Sequence, residues 1–146
     1  MAEHPGEFAK VKADPSLIPN LVNEAVRWAT PVKHFMRSTS RATELGGVPL
    51  PAGEWLMLCY ASASRDESVI PDAQTFRVDR QPNPHLSFGF GAHVCLGQHL
   101  ARQEIRILLE ELLPRVRAVR LEGPVEVSVN WTVNGPKTMP LVFDFA

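Results

Sequence analysis

A glycine-rich stretch, Phe88–Gly97 with the sequence FGFGAHVCLG, carries one cysteine, Cys95, and leads directly into a long amphipathic segment. Apolar side chains recur at helical spacing from Leu100 to Val116, and they predict a helix over 98–116. Backbone N–H groups in a glycine turn and the positive end of a helix both stabilise a thiolate. Because thiolate sulfur is a soft metal ligand, the stretch predicts that Cys95 holds a metal ion.

The composition is that of one globular domain, residues 1–146, with 45% hydrophobic residues and a formal net charge of −1. This composition argues against disorder, and the lack of a basic stripe argues against a nucleic-acid partner. No apolar run approaches the ~20 residues that span a bilayer, so no membrane contact is expected. Residues 1–7 lack the basic and apolar regions of a secretory signal, so a cytoplasmic location is expected.

The chain has two cysteines, Cys59 and Cys95. A disulfide between them is not expected, because disulfides are rare in cytoplasmic chains of this size. Cys59 lies in the apolar run 55–60, and this position predicts a buried, inert thiol.

The rest of the sequence predicts an α+β fold that is mainly α with small β-sheets. Helical spacing indicates helices over 5–13 and from about residue 16 or 19 to Trp28. Turn residues between extended segments predict a small sheet of hairpins over 32–60. The proline-rich residues 69–86 predict a long ordered loop, and loops of this length usually cover something or have a function.

The C-terminal part of the sequence predicts a β-hairpin. Valines at 125, 127 and 129 alternate with polar residues, as in a strand. Asn134-Gly135 is a strong turn signal, and residues 141–143 are expected to form the return strand.

Five positions of the stretch 88–97 fit the pattern Phe-x-x-Gly-x-(Arg or His)-x-Cys-x-Gly, and the match continues downstream through Leu100, Ala101 and Glu104. The pattern resembles the cysteine-ligand loop of the cytochrome P-450 family of heme-thiolate monooxygenases, in particular its bacterial members. The resemblance implies that Cys95 is the axial ligand of the iron of heme b. A buried structural thiol in a glycine-rich turn is the alternative. The matching positions are Phe88, Gly91, His93, Cys95 and Gly97.

A second match to the family is the Glu-x-x-Arg pattern at Glu24 and Arg27. Taken alone, such a pair is usually a solvated surface pair on a helix. The resemblance implies that Arg80 joins these two residues in a cluster that fixes the ligand loop to the core.

The resemblance also implies contacts to the heme. Arg37 and His93 are the expected partners of the two propionates, because buried carboxylates need cationic partners. His34 is a weaker candidate, since in an extended strand its side chain faces away from Arg37. His85 is a candidate contact on the heme side, and the ring of Phe88 is expected to shield the sulfur. The full set of expected cofactor contacts is Arg37, His34, His85, Phe88, Gly91, His93, Cys95, Gly97 and Ala101.

In the family, this loop serves O2- and electron-dependent hydroxylation, here of a small lipophilic substrate, with electrons from a ferredoxin-type partner. Arg102 and Arg106 are candidate docking residues for that partner, and a solvated helix face is the alternative. Within this chain, the stretch 32–35 and the residues 132–134 are the expected substrate contacts.

The resemblance covers only the C-terminal portion of the family fold. The distal helix with its Ala/Gly-Gly-x-x-Thr segment has no match, so no catalytic residue is assigned and the chain alone is expected to be inactive. A monooxygenase fragment, half of a split protein and a non-catalytic heme-binding or interaction module remain open. Apolar faces around 17–28 and 100–116 are expected to lie exposed without partners.

Overall fold

A computed structural model describes all residues, 1–146. It has four α-helices. Helices α1 and α2 have a proline in the first turn, where a backbone N–H would have no partner within the helix, so the proline costs no hydrogen bond. Helix α2 ends at Ala29, and its C-cap Thr30 adopts a left-handed φ of 39° ahead of Pro31. The helices are α1 (Pro5–Ala13), α2 (Ile18–Ala29), α3 (Tyr60–Ala63) and α4 (Gln98–Leu112).

Eight short strands pair into four two-stranded antiparallel sheets: β1 with β4, β2 with β3, β5 with β8, and β6 with β7. The mixed α+β architecture with small sheets agrees with the sequence prediction, as does the irregular course of the chain over 69–86. The strands are β1 (His34–Ser38), β2 (Thr43–Leu45), β3 (Val48–Leu50), β4 (Trp55–Cys59), β5 (Val116–Leu121), β6 (Glu126–Val127), β7 (Pro136–Thr138) and β8 (Leu141–Phe145).

The core lies where α1, α2 and the C-terminal half of α4 meet the loop that follows α3. Burial of these apolar side chains is the main source of stability of the fold. Lys12 of α1 adds a polar link, because its Nζ donates to the carbonyl oxygens of Leu113 and Val116, each at 2.8 Å. The ten core residues are Phe8, Val11, Ile18, Leu21, Val22, Phe76, Val78, Leu109, Leu113 and Val116.

Two sequence predictions about the C-terminal region need correction. The helix ends at Leu112 and not at Val116, because Pro114 cannot continue the helical hydrogen bonds and the chain passes through a 3-10 turn, Leu113–Arg115. Strand β8 pairs with β5 and not with the valine strand. The valine segment contributes only the short β6, which pairs with β7.

Two predictions about exposure also need correction. Cys59 is exposed and free, because its two-stranded sheet leaves much of β4 uncovered. The apolar face of α2 is buried in the core and not exposed. Helix α4 does expose Leu100, Ile107 and Leu108, as predicted. No helix combines the length and apolar character that crossing a membrane requires.

Candidate functional site

The loop that carries Cys95 is closed by backbone hydrogen bonds. The Cys95 N–H donates to the Phe88 carbonyl at 2.8 Å, and the Val94 N–H donates to the Gly91 carbonyl at 3.1 Å around a short 3-10 turn. Gly89 and Gly91 have φ values of +74° and +70°, a region that side chains disfavour. The glycines are therefore needed for the tight path that returns Cys95 to Phe88.

Cys95 sits just ahead of α4 and is exposed with a free thiol. The N-cap of α4 is Gly97, and a Cβ there would lie 3.9 Å from the Cys95 Sγ. The positive end of a helix favours a negatively charged ligand atom nearby. Apolar side chains around the thiol are exposed, above all Phe90 and Leu96.

Arg37 and His93, the predicted propionate partners, are not engaged by any carboxylate. Arg37 is half-buried on β1, and its only side-chain hydrogen bond runs to the carbonyl of neighbouring Met36 at 2.8 Å. His93 lies exposed in the 3-10 turn of the ligand loop. Both groups are thus free to pair with anionic groups of a ligand.

The site suits one kind of ligand. It offers an exposed thiol, an apolar surface beside the thiol, and two basic side chains without carboxylate partners. A planar macrocycle that is apolar on its faces, carries carboxylates at its edge and holds a soft metal at its centre would use all three. The residues present therefore fit heme.

His34 lies apart from this set. Its ring is 5.4 Å from that of Trp131, in a tilted arrangement. His34 and Arg37 are three residues apart on β1, so their side chains leave opposite faces of the strand. The structure thus joins His34 to the C-terminal segment.

The C-terminal segment pairs with the chain that follows α2. The two stretches predicted to contact substrate, 32–35 and 132–134, therefore lie side by side. Val32 forms a β-bridge with Val133, and the Lys33 N–H donates to the Thr132 carbonyl at 2.8 Å. The Asn134 side chain donates to the Ala29 carbonyl at 2.9 Å.

Glu24, Arg27 and Arg80 meet in the interior. Arg27 makes a bidentate pair with Glu24, from Nε at 2.8 Å and from Nη2 at 2.7 Å. Arg80 Nε lies 3.1 Å from Glu24 Oε2. The Asn83 amide donates to the same carboxylate at 2.9 Å, and so does the Arg77 backbone N–H at 2.8 Å.

The ionised form of Glu24 is favoured despite its burial. Burial acts to raise the pKa of this carboxyl, but hydrogen bonds from Arg27 and the Arg77 N–H, with the charges of Arg27 and Arg80, outweigh it. The net pKa is lowered. The arginines in turn donate to loop carbonyls, Arg27 to Ser64 and Ala73 and Arg80 to Pro71 and Asp72, so one carboxylate organises the loop before Cys95.

His85 lies between this cluster and the ligand loop. Its Nδ1 accepts from the Ser87 N–H at 3.3 Å, and its ring centroid is 6.0 Å from that of Phe88. Burial, together with the positive charges of Arg102 and Arg27, lowers the pKa of His85 to about 4. The ring lines a polar cleft between α2, α4 and the loop, so the structure groups His85 with Arg102.

The docking candidates on α4 differ in their surroundings. Arg102 is half-buried and is held by Asn23 and Gln98. Arg106 is exposed and pairs with Glu110 at 3.3 Å.

The structure adds polar residues that the sequence did not single out. Ser87 lies within 3.5 Å of both the Thr30 and the Ser64 hydroxyls, all three buried. Single serines and threonines in irregular chain have no periodic signal, so no sequence pattern identifies them. Asn83 was also missed, and its only signal is its position close to Arg80.

Comparison with known proteins agrees with this geometry. The sequence model described as Cytochrome P-450 matches residues 14–134 of the chain. This match shows that the chain belongs to the cytochrome P-450 family. Iron held by heme and a cysteine thiolate is the cofactor of that family.

Two curated relatives and one solved structure illustrate the similarity. Cytochrome P-450-terp of a Pseudomonas species is 48% identical over 143 residues, covering 98% of this chain and 33% of the relative. A steroid C26-monooxygenase of Mycolicibacterium smegmatis is 42% identical over 145 residues, covering 98% and 36%. The crystal structure of CYP108D1 from Novosphingobium aromaticivorans superposes with a TM-score of 0.93 at 46% identity, covering 99% of this chain and 35% of that one. The chain thus spans about a third of the length of these relatives.

Proposed function

We propose that this chain is the C-terminal, heme-binding portion of a cytochrome P-450 monooxygenase, with Cys95 as the axial iron ligand. The observation that carries the proposal is the closed glycine loop, which presents an exposed thiol beside the start of α4. In this role the bound heme supplies O2 activation, using electrons from a redox partner.

The residues of the chain would bind and orient the cofactor. Arg37 and His93 carry no carboxylate partner in the structure and would pair with the propionates. Gly91 and Gly97 would let the loop approach the ring closely, and Phe88 would limit water access to the sulfur. Ala101, on the first turn of α4, would pack below the loop. His34 and His85 are weaker contacts in this proposal, because each ring packs against another aromatic side chain.

The Glu24–Arg27–Arg80 cluster would fix the ligand loop without taking part in bond chemistry. Its groups are buried and bonded to one another and to loop carbonyls. The side chains of Glu24 and Arg27 have no exposed surface with which to meet a substrate.

The proposed substrate is small and lipophilic, and the paired stretches 32–35 and 132–134 would contribute to its pocket. Relatives named for such chemistry include the steroid C26-monooxygenase. The crystal structure of CYP109E1 from Bacillus megaterium contains testosterone. A ferredoxin-type protein is the proposed electron donor. Arg106 is better placed than Arg102 to dock it, because Arg106 is exposed, whereas Arg102 is half-buried and held by Asn23 and Gln98.

A reduced, CO-treated sample of the heme-loaded chain tests the cofactor assignment. We expect the red-shifted Soret band of thiolate-ligated iron in the wild type and in Cys59→Ser, and its loss in Cys95→Ser. Cys59→Ser is a matched control because it also removes an exposed free thiol. A folded wild type without the band, or a Cys95→Ser variant that keeps it, would refute the assignment.

A second candidate function is a non-catalytic heme-binding or interaction module, or half of a split protein. The observation that favours it is that the chain spans about a third of the length of these relatives. The thiolate band without turnover, in the presence of substrate, reductant and ferredoxin, would support this candidate. Turnover by the chain alone would refute it.

A further inference from the structure

Arg102 connects both long helices to the first residue of the ligand loop. Its Nε donates to Asn23 Oδ1 on α2 at 2.9 Å, and its Nη1 donates to Gln98 Oε1 on α4 at 2.8 Å. The guanidinium lies over the ring of Phe88, with Cζ 4.4 Å from the ring centroid. Two hydrogen bonds thus hold a cation in place against an aromatic face.

No carboxylate accepts a hydrogen bond from the Arg102 guanidinium, so its positive charge is not neutralised by its hydrogen-bond partners. All acceptors of Arg102 are neutral oxygens, the side-chain amides of Asn23 and Gln98 and the Gln98 carbonyl. A ring face attracts a cation more strongly where the pair is removed from water, and Arg102 is half-buried. Arg106, one turn further along α4, is exposed and pairs with Glu110 instead.

Phe88 in turn holds the backbone of Cys95. Its carbonyl accepts the Cys95 N–H at 2.8 Å, which closes the loop. A shift of Phe88 therefore moves the residue that carries the thiol. The neighbouring ring of His85 has its centroid 6.0 Å from that of Phe88, whereas the Arg102 Cζ is 4.4 Å from it.

We propose that Arg102 is a positioning residue for Cys95, which fixes the thiol by holding Phe88 through a cation–π contact. The proposal concerns the fixing of the loop, and it rests on the proposed function only in taking Cys95 as the iron ligand. Docking of a redox partner is a separate role, which this contact does not require.

Amide hydrogen exchange of Cys95 in the heme-free chain tests the proposal directly. We expect Arg102→Met to speed this exchange about tenfold, because the cation–π contact is lost while the side-chain bulk remains. Arg106→Met, the matched control on the same helix, should leave the exchange unchanged. Arg102→Lys should recover most of the protection, because it keeps a cation above the ring. Equal exchange in the Met variants at 102 and 106, or no recovery in Arg102→Lys, would overturn the proposal.

A double-mutant cycle with Phe88→Leu separates this role from a general loss of stability. Leucine keeps the apolar bulk and removes the aromatic face, so Phe88→Leu alone should speed exchange to the same degree as Arg102→Met. The double variant should be no faster than either single one. A full additional effect of Arg102→Met in the Phe88→Leu background would show that Arg102 acts through the helices, against the proposal.

The heme-loaded form supplies a spectroscopic readout. With CO and reductant, Arg102→Met should show a smaller share of the red-shifted thiolate band than the wild type, and Arg106→Met an unchanged share. An unchanged share in Arg102→Met would count against the proposal. A wild type with no thiolate band would refute the proposed function, while the exchange data on the heme-free chain would still decide the role of Arg102.

Discussion

At the residue scale, the buried carboxylate of Glu24 binds four different residues. It accepts hydrogen bonds from the side chains of Arg27, Arg80 and Asn83 and from the backbone of Arg77. Its side chain is fully buried, as is that of Arg27. Removing one partner from such a pair leaves an uncompensated buried charge, which costs far more than the loss of a surface pair.

Glu24→Gln tests this arrangement. We expect the free energy of unfolding to fall by about 3–5 kcal/mol, because two buried guanidinium groups lose their carboxylate. Urea titration measures the change, and Glu110→Gln, which removes an exposed partner of Arg106, should cost less than about 1 kcal/mol. Similar losses in the two variants would contradict the importance given to the cluster.

His85 predicts a pH dependence of stability. Its folded pKa of about 4 lies below the ordinary value of 6.5, so the unfolded chain binds a proton at pH values where the folded chain resists it. This contribution to stability is therefore full above pH 6.5 and falls as the pH decreases towards 4. At pH 5 we expect a loss of about 1 kcal/mol relative to pH 7, reduced from the full linkage value because the ring is only partly buried.

Urea midpoints at pH 7 and pH 5 measure this effect. His85→Asn, which retains an acceptor for the Ser87 N–H, should show a smaller difference between the two midpoints. His99→Asn, at an exposed position near the start of α4, should behave as the wild type. A His85→Asn variant with the full pH dependence would exclude His85 as its source.

At the element scale, Lys12 adds a polar link between α1 and the chain that follows α4, beside the apolar core contacts. Lys12 donates to the carbonyl of Leu113, the C-cap of α4, and to that of Val116, the first residue of β5. A cation at the C-terminal end of a helix is also favoured by the helix dipole. The contact joins residues more than one hundred positions apart in the sequence.

Lys12→Met should therefore lower the unfolding free energy by about 1.5–3 kcal/mol, because two charge-assisted hydrogen bonds are lost and two carbonyls stay unpaired. The matched control is Lys10→Met, which removes an exposed pair with Glu7 on the same helix and should cost less than about 1 kcal/mol. Thermal or urea denaturation distinguishes the two. A loss no greater for Lys12→Met than for Lys10→Met would show that the contact does not stabilise the fold.

The elements also show what the sequence could predict. The helices could be predicted because their apolar spacing is local, and the glycine loop could be predicted because its pattern fixes five positions within ten residues. Strand pairing could not be predicted. Strand β8 pairs with β5, which begins at the buried Val116. The alternation of apolar and polar residues near the Asn134-Gly135 turn does not reveal this pairing, because the pairing depends on tertiary contacts.

For the whole molecule, one groove of about 680 Å³, lined mostly by apolar side chains, lies between α4, the β5–β8 sheet and the β6–β7 hairpin. Leu108 lines it and is 60% exposed. The chain covers about a third of the length of its relatives, so a P-450 fold of full size holds much more chain than this. An apolar groove of this kind favours association in water.

We expect the isolated chain to associate as its concentration rises, and Leu108→Ser to weaken the association. Sedimentation velocity over a concentration series measures it. Leu45→Ser is the control, because Leu45 is equally exposed on the separate β2–β3 hairpin and lies outside the groove. An equal effect of both variants, or a chain that stays monomeric at all concentrations, would contradict the role of the groove.

The proposed role of Glu24 in fixing the ligand loop has a consequence for protein engineering. Residues 88–97 contain the thiol and its turn, but in this proposal their placement would also depend on the pairing of Glu24 with Arg80 and on the contacts among the Thr30, Ser64 and Ser87 hydroxyls. A graft of these ten residues onto another scaffold would transfer the motif without the side chains that hold it in place. The shortest segment that could be grafted with an intact site therefore runs from α2 through α4. In a shorter graft, the thiol should lack a defined orientation.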